Sequence, residues 1–135
     1  MAVVDKLLNK ANKNKESGAL GEFISMLFST RDAAHAAHLK TTSFAEHKAL
    51  DDYYSGIVDL VDALAESAQG KYGLLNIPMP TCDCYGGDCV TMFNEFVTKV
   101  QTIRRSLPQD SYIQNQIDEV EALMYSTIYK LKYLK

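Results

Sequence analysis

Between Lys71 and Cys89 the sequence reads KYGLLNIPMPTCDCYGGDC, and no other stretch restricts the fold as much. It packs two prolines and three glycines into nineteen residues and interrupts the helical periodicity found on both sides. Before it, Leu20, Phe23, Leu27 and Ala34 form one apolar stripe, which predicts a first helix over about Leu20 to Lys40. A second helix is expected from Ser43 to about Gly70, with Ser43 as N-cap and Glu46 at the capping-box position. It buries Leu50, Tyr54, Ile57, Val61 and Leu64. After the interruption, Phe93, Phe96, Val97, Val100 and Ile103 mark a third helix over roughly Asp88 to Leu107. Pro108 then stops that helix, and Asp110 or Ser111 caps a fourth, whose stripe is Ile113, Ile117, Val120, Met124, Ile128 or Thr127, Leu131 and Leu134. The expectation is an all-α four-helix bundle. Its first and second helices, and its third and fourth, are joined by tight turns that force antiparallel neighbours. The second helix would be ~40 Å long, and an extended connector of this length spans that, so one long crossover joins helices 2 and 3. Residues 1–18, MAVVDKLLNKANKNKESG, read as a flexible or partly helical arm, leaving 19–135 as the bundle.

A chain of 135 residues builds one domain with a real core. Its net charge of −3 does not suit obligate nucleic-acid binding, which needs a basic surface. The four lysines at 6, 10, 13 and 15 share the arm with Asp5 and Glu16, so DNA binding is expected to be weak or absent. No apolar run has the length of a membrane span, and the first ten residues lack the hydrophobic centre of a signal peptide. Three cysteines, all within residues 82–89, are an odd set that does not read as a secreted disulfide framework. The spacing of Cys82, Cys84 and Cys89 also lacks the partner pair or histidine of a zinc site, so a loop cluster is the favoured reading.

The second helix carries more charge than its apolar face requires. Measured round the helix from His47, Asp51 lies at about 40°, Asp62 at about 60° and Glu66 at about 100°. These four share one stripe beside the apolar face, while Asp52 and Asp59 lie further round. Along the axis the His47/Asp51 and Asp62/Glu66 pairs are ~22 Å apart, so no ion touches both pairs of one chain. Two copies of the helix packed antiparallel about a two-fold axis would bring the pairs together, with Ser55 and Val58 small enough for close approach. Two more histidines, His35 and His38, end the first helix one tight turn away. Mixed imidazole and carboxylate donors suit iron, manganese or zinc. A single carboxylate pair on a helix is usually only a solvated face; two pairs in register with histidines favour metal binding. Tyr53, Tyr54, Tyr112, Tyr125, Tyr129 and Tyr133 read as packing or core-edge residues.

The run His47, Asp51, Asp62, Glu66, closing with DALAE, resembles the ferroxidase motif of the Dps proteins, small ferritins that protect DNA in starved bacteria. The family pattern is a helix-ending histidine, a second histidine, an acid four residues later, and then D-x-x-x-E. The segment HLKTTSFAEHKALDDYYSGIVDLVDALAE is also similar to ferritin-like proteins of bacteriophage genomes. The likeness in helix order covers most of residues 20–135, and the motif is specific over about 35–70. Departures are Leu39 in place of the usual aromatic, a shorter first turn lacking the family's glycine, and the PTCDCYGGDC segment. His35 has the family's spacing from His47, whereas His38 sits in the final helical turn; either fits. The resemblance implies a ferritin-like four-helix bundle that binds iron, or another divalent metal in the isolated protein. Ligands would come from His47, Asp51 and one of His35 and His38 in one chain, with Asp62 and Glu66 from the other. Fe(II) would be oxidised there by peroxide or oxygen, for iron storage or detoxification. It implies a homo-oligomer, as a two-fold dimer or a twelve-subunit shell, in the cytoplasm (the host's, for a phage protein). The second reading is a helical bundle with a degenerate site that serves as an interaction or virion-associated protein.

Overall fold

The computed structural model describes residues 2–81 and 87–135, apart from the side chains of residues 12 and 13. Among the described residues the chain is helical, with no strand. Its elements are α1 (Ala2–Lys40), α2 (Phe44–Tyr72), α3 (Cys89–Ile103), a 3-10 turn (Arg104–Ser106) and α4 (Ser111–Tyr133). The expected helices are all present, but α1 begins eighteen residues before Leu20 and runs unbroken through the stretch read as an arm. Among the described residues no helix is long and apolar enough to cross a membrane.

Local chemistry explains most of the boundaries. Ser43 Oγ accepts the Glu46 backbone N–H at 3.2 Å, satisfying a donor in the first turn of α2. Asp88 does the same for Thr91 N–H at 2.8 Å and opens α3. Asp110 occupies the N-cap position of α4 but makes no side-chain cap bond. Its carboxylate instead accepts from the Tyr72 and Tyr112 hydroxyls and pairs with Lys71 at 3.5 Å, tying the foot of α2 to the start of α4. The third helix stops short of Leu107 because the chain tightens into the 3-10 turn at Arg104.

One apolar cluster joins all four helices, including Leu20, Phe23, Leu27, Leu50, Ile57, Leu64, Phe93, Phe96, Val100, Ile117 and Met124. Tyr53, not Tyr54, takes the aromatic place in it. Its ring meets Phe93 edge-on at 4.6 Å between centroids, and its hydroxyl shares a 2.8 Å hydrogen bond with Thr30. That bond removes the cost of burying the phenol. On α4 it is Thr127 that is buried, its hydroxyl donating to the Leu123 carbonyl at 2.8 Å, while Ile128 is half-buried.

Cross-helix contacts set the directions. Thr30 meets Tyr53, and Ser17 donates to the Tyr72 carbonyl at 3.3 Å, so α1 and α2 are antiparallel. Ser67 with Gln116 and Asp52 with Lys130 make α2 and α4 antiparallel. Gln101 with Tyr125 and Arg104 with Gln114 do the same for α3 and α4. The neighbour order round the core is therefore α1, α2, α4, α3, and α2 and α3 run in the same direction. The connector must return from the foot of α2 to its head. It does so along α1: the Asn76 carbonyl lies on Gly21, Thr81 lines a hollow with Glu22, Ser25 and Ser29, and the Cys89 thiol reaches Glu46.

Candidate metal centre

The tight turn between α1 and α2 brings three histidines, a tyrosine and a carboxylate into one cluster. His38 is buried and His47 half-buried. Their rings stack with centroids 3.6 Å apart, and each Nδ1 bonds the other residue's backbone carbonyl, at 2.8 Å for His38 and 2.9 Å for His47. A carbonyl oxygen only accepts, so both Nδ1 atoms carry hydrogen. In the neutral rings the lone pair is thereby left on Nε2. A backbone carbonyl holding one ring nitrogen is the usual support of a histidine that ligates metal through the other.

Tyr54 joins this pair to Asp51. Its ring stacks on His35 at 4.1 Å, and its hydroxyl lies 3.5 Å from His38 Nε2. It also hydrogen-bonds Asp51. That bond is the main reason the Asp51 carboxyl is held below the usual carboxylate range, with Lys48 adding favourable charge and Ser55 a weak 3.4 Å bond. The same bond raises the Tyr54 phenol. Asp51 is therefore an anion at neutral pH, one helical turn from His47.

His35 and His38 have different places. His38 is the residue that exchanges hydrogen bonds with His47, while His35 is exposed, 5.9 Å from the His38 ring, against the face of Tyr54. Tyr54, read from the sequence as packing, is the group that connects the cluster. Asp62 and Glu66 are exposed further along α2, away from the histidines. Among the described residues of one chain, no three His, Cys, Asp or Glu side chains converge closely enough to hold a metal ion. The donors at the turn do fit one in kind, as imidazole with an oriented lone pair beside an ionised carboxylate, and a full set needs ligands from elsewhere. Cys89 is no such donor. Burial foremost, then its bond to Glu46, pushes its thiol up to about 12, so it stays protonated. Cys82 and Cys84 lie outside the described residues, so the loop-cluster reading of the three cysteines rests on sequence alone.

A family model described as "Family of unknown function (DUF5856)" matches residues 38–131. The chain belongs to this family. The DUF5856 match starts at His38 and takes in His47, Asp51, Asp62 and Glu66, whereas His35 precedes it. A protein of Enterobacteria phage T4, named as an uncharacterized 14.6 kDa protein in the mobD-ri intergenic region, is 29% identical over 111 residues. That alignment covers 82% of this chain and 85% of the T4 protein. The phage side of the expected resemblance is thus supported, while neither finding names a ferritin or Dps family. No solved structure matches the chain.

Proposed function

We propose that this DUF5856 chain is a ferritin-like, Dps-like iron-binding protein that oxidises Fe(II) at a site shared across a two-fold dimer. The observation that carries the reading is the reciprocal locking of His38 and His47, which leaves ring lone pairs beside an ionised Asp51. The crossover topology supports it, since one long connection between two helical hairpins is the ferritin-like order. In this reading Fe(II) is the substrate. His47 and Asp51 of one chain, with His38 or His35 nearby, hold it together with Asp62 and Glu66 of the second copy. The carboxylates supply negative charge that favours the ferric product. Two sites per dimer release two electrons; one hydrogen peroxide takes them with two protons and leaves as two waters. Tyr54 favours the ionised form of Asp51 through its hydroxyl bond.

The test is anaerobic Fe(II) titration of metal-free protein, followed by peroxide or oxygen with ferric absorbance recorded in the near ultraviolet. Saturation at about one iron per chain, as two-fold symmetry of two sites requires, is expected. Rapid oxidation should be lost in His47→Ala and in Asp62→Ala. Oxidation no faster than buffer would sink the reading. The second reading, a helical interaction or virion-associated protein with a degenerate site, is favoured by the lack of a three-donor set within the described part of one chain. It predicts no saturable iron.

A further inference from the structure

The first fifteen residues of α1 stand outside the core. Ser17 donates to the Tyr72 carbonyl at the foot of α2, and the fifteen residues of α1 before position 17 run on for about 22 Å. This projection carries its own apolar stripe of Val3, Val4, Leu7, Leu8 and Ala11, all exposed. On the helix it points roughly 160° away from the stripe of Leu20, Phe23, Leu27 and Ala34 that packs into the core. The chain's own core therefore cannot cover it. A short isolated helix with so many asparagines and lysines is also unstable in water without packing.

The position of the stripe says what does cover it. Residues 3, 4, 7, 8 and 11 lie eighteen residues, or about five turns, before 21, 22, 25, 26 and 29, and so share one face of α1. At 21–29 that face is the seat of the connector, with Asn76 on Gly21 and Thr81 beside Glu22, Ser25 and Ser29. The connector in turn exposes Leu74 (88%), Met79 (85%) and part of Ile77. One side of α1 thus offers two apolar patches in line, the bare stripe and the connector.

We infer that a second copy of this chain docks on this face, antiparallel about a two-fold axis, so that the arm of each copy lies on the connector of the other. The arrangement is isologous and covers both patches at once. The exposed apolar surface involved is of the order of the ~800 Å² per partner that stable interfaces bury. Charge agrees: the arm carries four lysines against Asp5 and Glu16, a net +2, which leaves −5 on the remainder of a chain of net −3. The surface is separate from the α2 stripe and does not rest on the iron reading.

Sedimentation equilibrium on the full chain tests it, with Leu8→Asp on the arm and Met79→Lys on the connector. Each variant is expected to halve the assembly mass with its circular dichroism retained, and an equimolar mixture of the two should restore it through the Asp–Lys contact. Unchanged mass in either variant, or no recovery on mixing, overturns the pairing. So does a wild-type chain that does not self-associate but sediments with anionic phospholipid vesicles through its arm. Fe(II) binding, read separately, should be the same in all three proteins, so failure here is distinguishable from failure of the metal site.

Discussion

Tyr54 is the residue on which the electrostatics of the histidine turn depend. Its hydroxyl bond is the largest cause of the depressed Asp51 titration. A carboxyl with a lowered folded value contributes stability above its unfolded value and loses it as pH falls through the folded one. Tyr54→Phe should therefore raise the Asp51 midpoint toward the ordinary carboxylate value, followed by NMR of its carboxyl carbon. An unmoved midpoint would show that Lys48 and Ser55, not the phenol, hold the anion. The stacked histidines call for a different measurement. His38→Ala and His47→Ala should each cost about 1–3 kcal/mol in urea unfolding, as lost buried hydrogen bonds do. Because the two rings serve each other, the double variant should cost less than the sum; strict additivity would mean that they do not act as a pair. His47, Asp51 and their four-residue spacing were legible in the sequence. The role of Tyr54 was not, because adjacent tyrosines lie only about 100° apart on a helix and both border the apolar face. The Phe93 ring and the Thr30 hydroxyl, both distant in sequence, receive Tyr53 and not Tyr54.

Two joints between elements carry similar weight. Gly21 is the point where the connector crosses α1. A Cβ there would sit 2.0 Å from the Asn76 carbonyl oxygen, which is backbone and cannot swing aside. Gly21→Ala should destabilise the fold by about 1–3 kcal/mol, as overpacking does, despite improving helix propensity. Gly18→Ala, with nothing within 4 Å, is the control and should be neutral or stabilising. At the other end Arg104 holds α3 to α4 through Asp118 at 2.7 Å, Glu121 at 2.9 Å and the Gln114 side chain and carbonyl. Arg104→Met keeps the packing stem but leaves Glu121 without its cation. A higher urea midpoint for the wild type, by a margin that shrinks in salt, is the expected result. The helix count and the two tight turns follow from prolines, caps and periodicity. That Asp110 serves Tyr72 in place of capping α4 follows from the nearness of a helix 38 residues earlier in the chain, which no local rule contains.

At the scale of the whole molecule, one core is shared by four helices, and among the described residues none of the fifteen-residue projection belongs to it. If that projection is an interface, the melting temperature of the full chain should rise with protein concentration, and that of Leu8→Asp should not, because association stabilises only the folded partner. The sequence alone determined that the chain is helical, where its four helices lie in the main, and that His47, Asp51, Asp62 and Glu66 share one side of the second. Those facts are local, since the 3.6-residue period relates side chains on one helix whatever surrounds it. The tertiary structure alone decided that His38 rather than His35 faces His47, that Tyr54 bridges them to Asp51, and that the connector lies on Gly21. It also decided that the arm's apolar face looks away from its own core. Each of these depends on which helices meet and at what rotation, and that is fixed by packing across the chain rather than by spacing along it.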